Sequence, residues 1–326
     1  MENVVTLLIF AVLAGLLMLA NAGEERPGPR TVTLVISGVL SGGALAIAGL
    51  AAFASALRFA AGGIGASQFR AAMTIAIPFM LAGGLGLLLL LLPGLQKRLA
   101  RFIPVRPGSA ITVFSLTLAL LFLALQLGTQ LAVDVVSAVT KGPPLTKTAI
   151  LIQDGPLLGV AFLGVGLFVR RSLPATARRL GLVPVPARWW FGVALAGIVV
   201  FLAVGVGIDR LSQTLTPEVA RRVSEASKTV FGQFNTAGGV LFLAAVAGVA
   251  EELLFRGAML PRFGLIFTSL LFAAAHTQYG ITFASLEVFI LGLGLGWLRL
   301  QAGTLACIVL HVGYDLAVGL IGINIH

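Results

Sequence analysis

Charge is scarce in this chain: Asp, Glu, Lys and Arg make up 10% of the 326 residues, while 58% are hydrophobic. Soluble domains carry roughly a quarter charged residues, so the composition excludes water as the main solvent. Cysteine is almost missing, and the single Cys307 excludes an intrachain disulfide and reads as a small core residue. Acidic residues are outnumbered, 12 against 22 basic, which gives a formal net charge of +10 and a pI near 11.2. Such an excess could announce a nucleic-acid binder. The basic residues, however, cluster in short loops between apolar runs, which is the positive-inside pattern of membrane proteins, and no nucleic-acid partner is expected.

What the chain has in quantity is long apolar runs. A helix rises about 1.5 Å per residue and the hydrocarbon layer is about 30 Å thick, so a span needs about 20 apolar residues. About ten such runs are present, near residues 3–22, 31–55, 72–95, 110–133, 148–169, 189–208, 238–260, 263–279, 281–300 and 304–323. The expected fold class is all-α, a polytopic transmembrane helical bundle whose last four spans form one functional unit, with membrane lipids as its surroundings. Ala20-Asn21-Ala22 before Gly23 has the spacing of a signal cleavage site, but Glu2 is the only charged side chain ahead of the apolar run. A signal peptide wants a positive start, so a retained helix is the expectation.

Lys97, Arg98, Arg101 and Arg106 share one loop, and Arg170, Arg171, Arg178, Arg179 and Arg188 another, which places both loops in the cytoplasm. With ten spans both termini then lie outside, in a multi-pass protein of the cell membrane. The stretch 173–188, with Pro174, Pro184 and Pro186 among arginines, reads as a linker. It separates an N-terminal scaffold, 1–172, from a C-terminal unit, 189–326, that opens on the interfacial pair Trp189-Trp190. Leu211, Leu215, Val219 and Val223 recur every four residues among charges and predict an amphipathic helix on the membrane surface. Gly292, Gly294 and Gly296 sit inside an apolar span with no strand before them, so they read as helix packing and not as a nucleotide loop. Asp134 and Asp154 read as span-end charges that reach water.

Chemistry is concentrated near the C-terminus. Glu251, Glu252 and Arg256 fall within six residues of otherwise apolar sequence, at a cost of a few kcal/mol each on insertion scales. Glu252 and Arg256 are four apart and share a helix face, so they can pair, which leaves Glu251 free about 100° around. His276 follows Phe272 by four on the next span, and Asp315 follows His311 by four on the last. If the chain turns at Pro261–Gly264, Glu251 and His276 both lie about 15 to 18 Å from that turn, and His311 and Asp315 reach a similar depth. Two carboxylates, an arginine, two histidines and an aspartate then meet in one buried cluster. These groups suit hydrolysis by an activated water, with a carboxylate taking a proton, imidazole sharing it, and a second polar pair stabilising the oxyanion.

The spellings Glu251-Glu252-Leu-Leu-Phe-Arg256, Phe272-Ala-Ala-Ala-His276 and His311-Val-Gly-Tyr-Asp315 match EExxxR, FxxxH and HxxxN/D. Over residues 238–320 the chain resembles the CPBP family of intramembrane proteases, the CAAX prenyl proteases and bacteriocin-processing enzymes. The resemblance implies that Glu251 and His276 activate the water, that Arg256 holds Glu252, and that His311 and Asp315 orient or polarise the scissile carbonyl. An asparagine often stands where this chain has Asp315, and an ionised aspartate only accepts hydrogen bonds. Asp315 therefore acts either in its protonated form or beside a metal. Both a metal-free site and one in which Glu251, His276 and His311 bind zinc or another divalent ion are open.

The expected function is an intramembrane endopeptidase acting on membrane-associated peptides or proteins, prenylated or bacteriocin-like. The principal alternative is a proton- or ion-coupled transporter, since buried Glu, His and Asp also build proton relays. That alternative predicts inverted repeats, and none is evident. A non-catalytic scaffold of the same fold ranks behind both.

Overall fold

A computed structural model describes residues 2–183 and 189–324. Pro184–Arg188, the end of the expected linker, lie outside the described residues. Among the described residues there is no β-strand, and the chain is an all-α bundle. Its helices are α1 (Glu2–Ala22), α2 (Pro27–Ala60), α3 (Ala66–Leu91), α4 (Pro93–Leu99), α5 (Ala110–Ala132), α6 (Val135–Thr140) and α7 (Lys147–Gly164). They continue as α8 (Leu173–Leu180), α9 (Trp189–Leu215), α10 (Pro217–Phe231), α11 (Ala237–Glu251), α12 (Leu260–Ala275), α13 (Phe283–Ala302) and α14 (Thr304–Asn324). Glu252–Met259, between α11 and α12, is a π-helical stretch.

The bundle is built to be solvated by hydrocarbon. Ile47 and Leu50 on α2 are 72% and 69% exposed, and Val199 on α9 is 67% exposed. Apolar surface on that scale is a liability in water and the expected covering of a membrane span. The protein is therefore an integral membrane protein. By length and composition eight segments among the described residues can cross a membrane, against the ten expected. Helix α7 interrupts its apolar run with Lys147, Gln153 and Asp154, and the expected spans 238–260 and 263–279 form one apolar segment, Ala237–Ala275.

That long segment is a hairpin. If it were one straight helix, Glu251 and His276 would stand about 37 Å apart, yet their side chains are 3.9 Å apart. The chain doubles back at Gly264, where φ is 75° and ψ 177°, a region essentially reserved for glycine. The turn expected at Pro261–Gly264 is thus made by its last residue. Gly264→Ala is expected to destabilise the protein by about 1 to 3 kcal/mol and to reduce function with it, as measured by thermal unfolding in detergent.

Two compact units organise the chain: Leu19–Val135, and Met1–Met18 together with Val136–His326. In the first, α2, α3 and α5 pack on one another. Gly83 lets α2 and α3 approach, since a Cβ there would lie 2.5 Å from the Ser41 carbonyl. Buried Gln96 ties the loop before α5, donating to Leu89 O at 2.7 Å and accepting from Gly108 N at 2.6 Å.

In the second unit α7, α8, α11, α12, α13 and α14 surround the π-helical stretch, and α9 packs on α13 and α14. Ala161 of α7 and Val165 just after it pack with Leu180, Leu253 and Ala258, and Ala194 and Phe201 of α9 pack with Leu295, Leu298 and Leu310. The expected amphipathic repeat is split: Pro217 starts a new helix, so Leu211 and Leu215 belong to α9 and only Val219 and Val223 to α10. Helix α10 keeps Glu218, Arg221, Glu225 and Lys228 on its exposed face and packs against α9 and the turn that follows His276. Arg221 bonds Glu218 there, which holds the Glu218 carboxyl below its ordinary pKa.

Candidate active site

Each cluster residue is placed by the local fold. Helix α11 starts at Thr236, whose hydroxyl accepts from Gly239 N at 3.1 Å, and its apolar run ends in Glu251. The ladder then widens to i→i+5 bonding over Glu252–Met259, a defect found frequently at functional sites. Backbone carbonyls of this stretch accept from distant arginines: Arg299 Nε donates to Arg256 O at 3.2 Å and Arg179 Nη1 to Gly257 O at 3.0 Å. Arg179, read from sequence as an orientation signal, thus also holds the widened turn.

Within it Glu252 and Arg256 are 0% and 1% exposed and joined by Arg256 Nη1 to Glu252 Oε1 at 2.7 Å. The guanidinium lies 4.0 Å above the Phe272 ring and reaches Gly292 O at 3.4 Å. The same Glu252 Oε1 accepts from His311 Nδ1 at 2.7 Å. One buried carboxylate oxygen therefore anchors a cation on its own helix and an imidazole on α14. Glu252 Oε2 has no hydrogen-bond partner among the described residues.

Glu251 is turned the other way. Its Oε2 faces His276 Nε2 at 3.9 Å and His311 Nε2 at 4.0 Å, too far for direct hydrogen bonds. His276 Nδ1 lies 2.8 Å from Phe272 O. A carbonyl only accepts, so Nδ1 carries the proton and Nε2 is the atom turned to Glu251. Asp315 Oδ2 approaches His311 Nε2 at 3.5 Å. All six residues read from the sequence, Glu251, Glu252, Arg256, His276, His311 and Asp315, are thus brought together from three helical segments.

Phe272 is the hub that pattern reading left without a role. Its ring centroid lies 4.7 Å from that of His276, 6.0 Å from His311 and 5.2 Å from Phe255, with Arg256 over its face. Phe272→Leu keeps apolar volume and removes the flat face that orients both imidazoles. We expect it to fold and to lower kcat about tenfold with little change in KM, measured by steady-state cleavage. A second pair beside the site, Tyr314 donating to Glu287 Oε1 at 2.9 Å, was also not anticipated. Glu287 is a lone carboxylate in α13 whose partner is set by tertiary packing.

The candidate metal set is more open than a tetrahedral zinc site. Nitrogen and oxygen ligands around tetrahedral zinc lie roughly 3.4 Å from one another, whereas both imidazole nitrogens stand 3.9 to 4.0 Å from Glu251 Oε2. Among the described residues no three His, Cys, Asp or Glu side chains are disposed to hold a metal.

Residues 233–317 match the family described as type II CAAX prenyl endopeptidase Rce1-like. Neither the curated proteins nor the solved structures yielded a match. The matched residues run from just before α11 into α14 and contain all three motifs, so over this segment the chain is similar to Rce1-like domains, consistent with the resemblance to CPBP intramembrane proteases.

Proposed function

We propose that this protein is an intramembrane endopeptidase of the cell membrane that hydrolyses peptide bonds of membrane-associated peptide or protein substrates, of the prenylated CAAX type or bacteriocin-like. The observation that carries the reading is the gap between Glu251 Oε2 and the His276 and His311 Nε2 atoms. At 3.9 and 4.0 Å it is too wide for a direct bond, and one water about 2.8 Å from each heavy atom fits it.

In this reading Glu251 takes a proton from that water as its oxygen bonds to the scissile carbonyl carbon. The carbon–nitrogen bond then breaks, and the proton passes to the leaving nitrogen. His276, its tautomer fixed by Phe272 O, accepts from the water through Nε2. His311, held through Nδ1 by Glu252, points Nε2 into the same space, where a proton on that atom would be donated to the oxyanion. Asp315 orients His311, which removes the need for the amide donor that an asparagine would supply. Arg256 and Phe272 fix Glu252 and the rings. No observation favours the transporter alternative.

The test is cleavage of a panel of prenylated and unmodified membrane peptides by the full chain in lipid bilayers, with and without chelator. Cleavage of at least one peptide, insensitive to chelator and lost in His276→Ala, is expected. Cleavage by His276→Ala at the wild-type rate overturns the assignment.

A further inference from the structure

Outside the segment that matches the family, α7 carries Asp154, 5% exposed in the middle of an apolar helix. Sequence alone suggested a span-end charge that reaches water, and the structure buries it. No hydrogen bond to its carboxyl is found among the described residues, and the charge that acts on it is the like charge of Glu251. A carboxyl so placed is costly as mere packing.

Depth along the bundle brings the two together. Helix α7 packs on α11 and the π-helical stretch, and at one end Arg262 Nη2 donates to Gly164 O at 3.0 Å. Leu158, Ala161 and Val165 share one buried cluster with Val249, Leu253 and Ala258; since the Arg262–Gly164 contact joins the C-terminal ends and α7 also packs along α11, the two segments run in the same direction. Ten residues back from Gly164 is Asp154, and eleven back from Arg262 is Glu251, which places both about 15 Å from that anchor. Glu251 Oε2 is the atom that faces both imidazoles, which leaves Oε1.

We propose that Asp154 is a positioning residue of the active site: it engages Glu251 Oε1 from α7, directly or through one water, and holds Oε2 toward His276 and His311. Two carboxylates brought together away from water do not both stay ionised, so one proton sits between them and makes the bond. The inference rests on the peptidase reading for its kinetic consequence and on the α7–α11 packing for its existence.

The test compares Asp154→Asn with Asp154→Leu in the full chain. Asparagine keeps a hydrogen-bond donor of the same shape, and leucine suits an apolar helix interface. We expect Asp154→Asn to keep most of wild-type kcat, and Asp154→Leu to lose at least about tenfold in kcat at unchanged KM. Leucine at or above the asparagine rate overturns the proposal. An infrared measurement that needs no substrate accompanies it: a protonated-carboxyl band at neutral pH that disappears in Asp154→Asn and shifts in Glu251→Gln is expected. A band unaffected by Glu251→Gln, or no such band, overturns the pairing. Wild type that cleaves no peptide yet shows the coupled band refutes the peptidase reading while the pair stands.

Discussion

Glu251→Gln is expected to lower kcat by about a thousandfold while the protein folds and inserts as wild type, because the substitution preserves shape and removes the base. Glu251 is partly exposed to the site and joined to neither histidine by a direct bond, so its loss orphans neither imidazole. His276→Ala should be comparably inactive, and the double variant little worse than either single one, since residues acting on one water behave as a unit. Rates measured alongside thermal unfolding separate this outcome from a folding defect. Inactivity accompanied by a large loss of stability would show that Glu251 serves packing instead.

The opposite pattern is expected at the neighbouring pair. Arg256→Ala leaves Glu252, a carboxylate 0% exposed, without its cation and with the His311 imidazole as its remaining partner, and removes a cation stacked on Phe272. Breaking a buried ion pair by deleting one partner costs about 3 to 5 kcal/mol, so the variant should be largely unfolded or degraded. Replacing Arg256 and Glu252 together by methionine should be less damaging to stability than Arg256→Ala alone, because no uncompensated charge stays buried. That double variant should nevertheless be inactive, since His311 Nδ1 loses the acceptor that holds the ring. Denaturant titration of the three proteins gives the ordering, and equal stability of Arg256→Ala and wild type would contradict it.

Much of this site was legible before any coordinates. The i,i+4 spacing of Glu252 and Arg256, of Phe272 and His276, and of His311 and Asp315 sets one face per helix, and the turn near Gly264 sets a common depth. Helix geometry alone therefore predicts that the groups meet. What was not legible depends on tertiary partners. The widened turn at Glu252–Met259 has no composition of its own and relies on Arg179 and Arg299 to take its carbonyls. Phe272 looks like any apolar residue until both imidazoles and a guanidinium are seen around its ring. Asp154 was misplaced because its distance from the span end was judged in sequence, whereas its burial comes from tertiary packing of α7. The number of spans was blurred by the same hairpin that makes the site, since no polar loop separates the two arms of Ala237–Ala275 and the backbone at Gly264 divides them.

The central claim is that a water activated between Glu251 and the two imidazoles cuts a peptide bond. It is tested most directly by incubating the full chain in lipid bilayers with the membrane-peptide panel in water enriched in heavy oxygen, and reading the products by mass spectrometry. The account predicts one heavy oxygen in the new carboxylate of the N-terminal fragment with wild type, and no such product with Glu251→Gln. Equal cleavage by Glu251→Gln, or a product without the heavy oxygen, would contradict it.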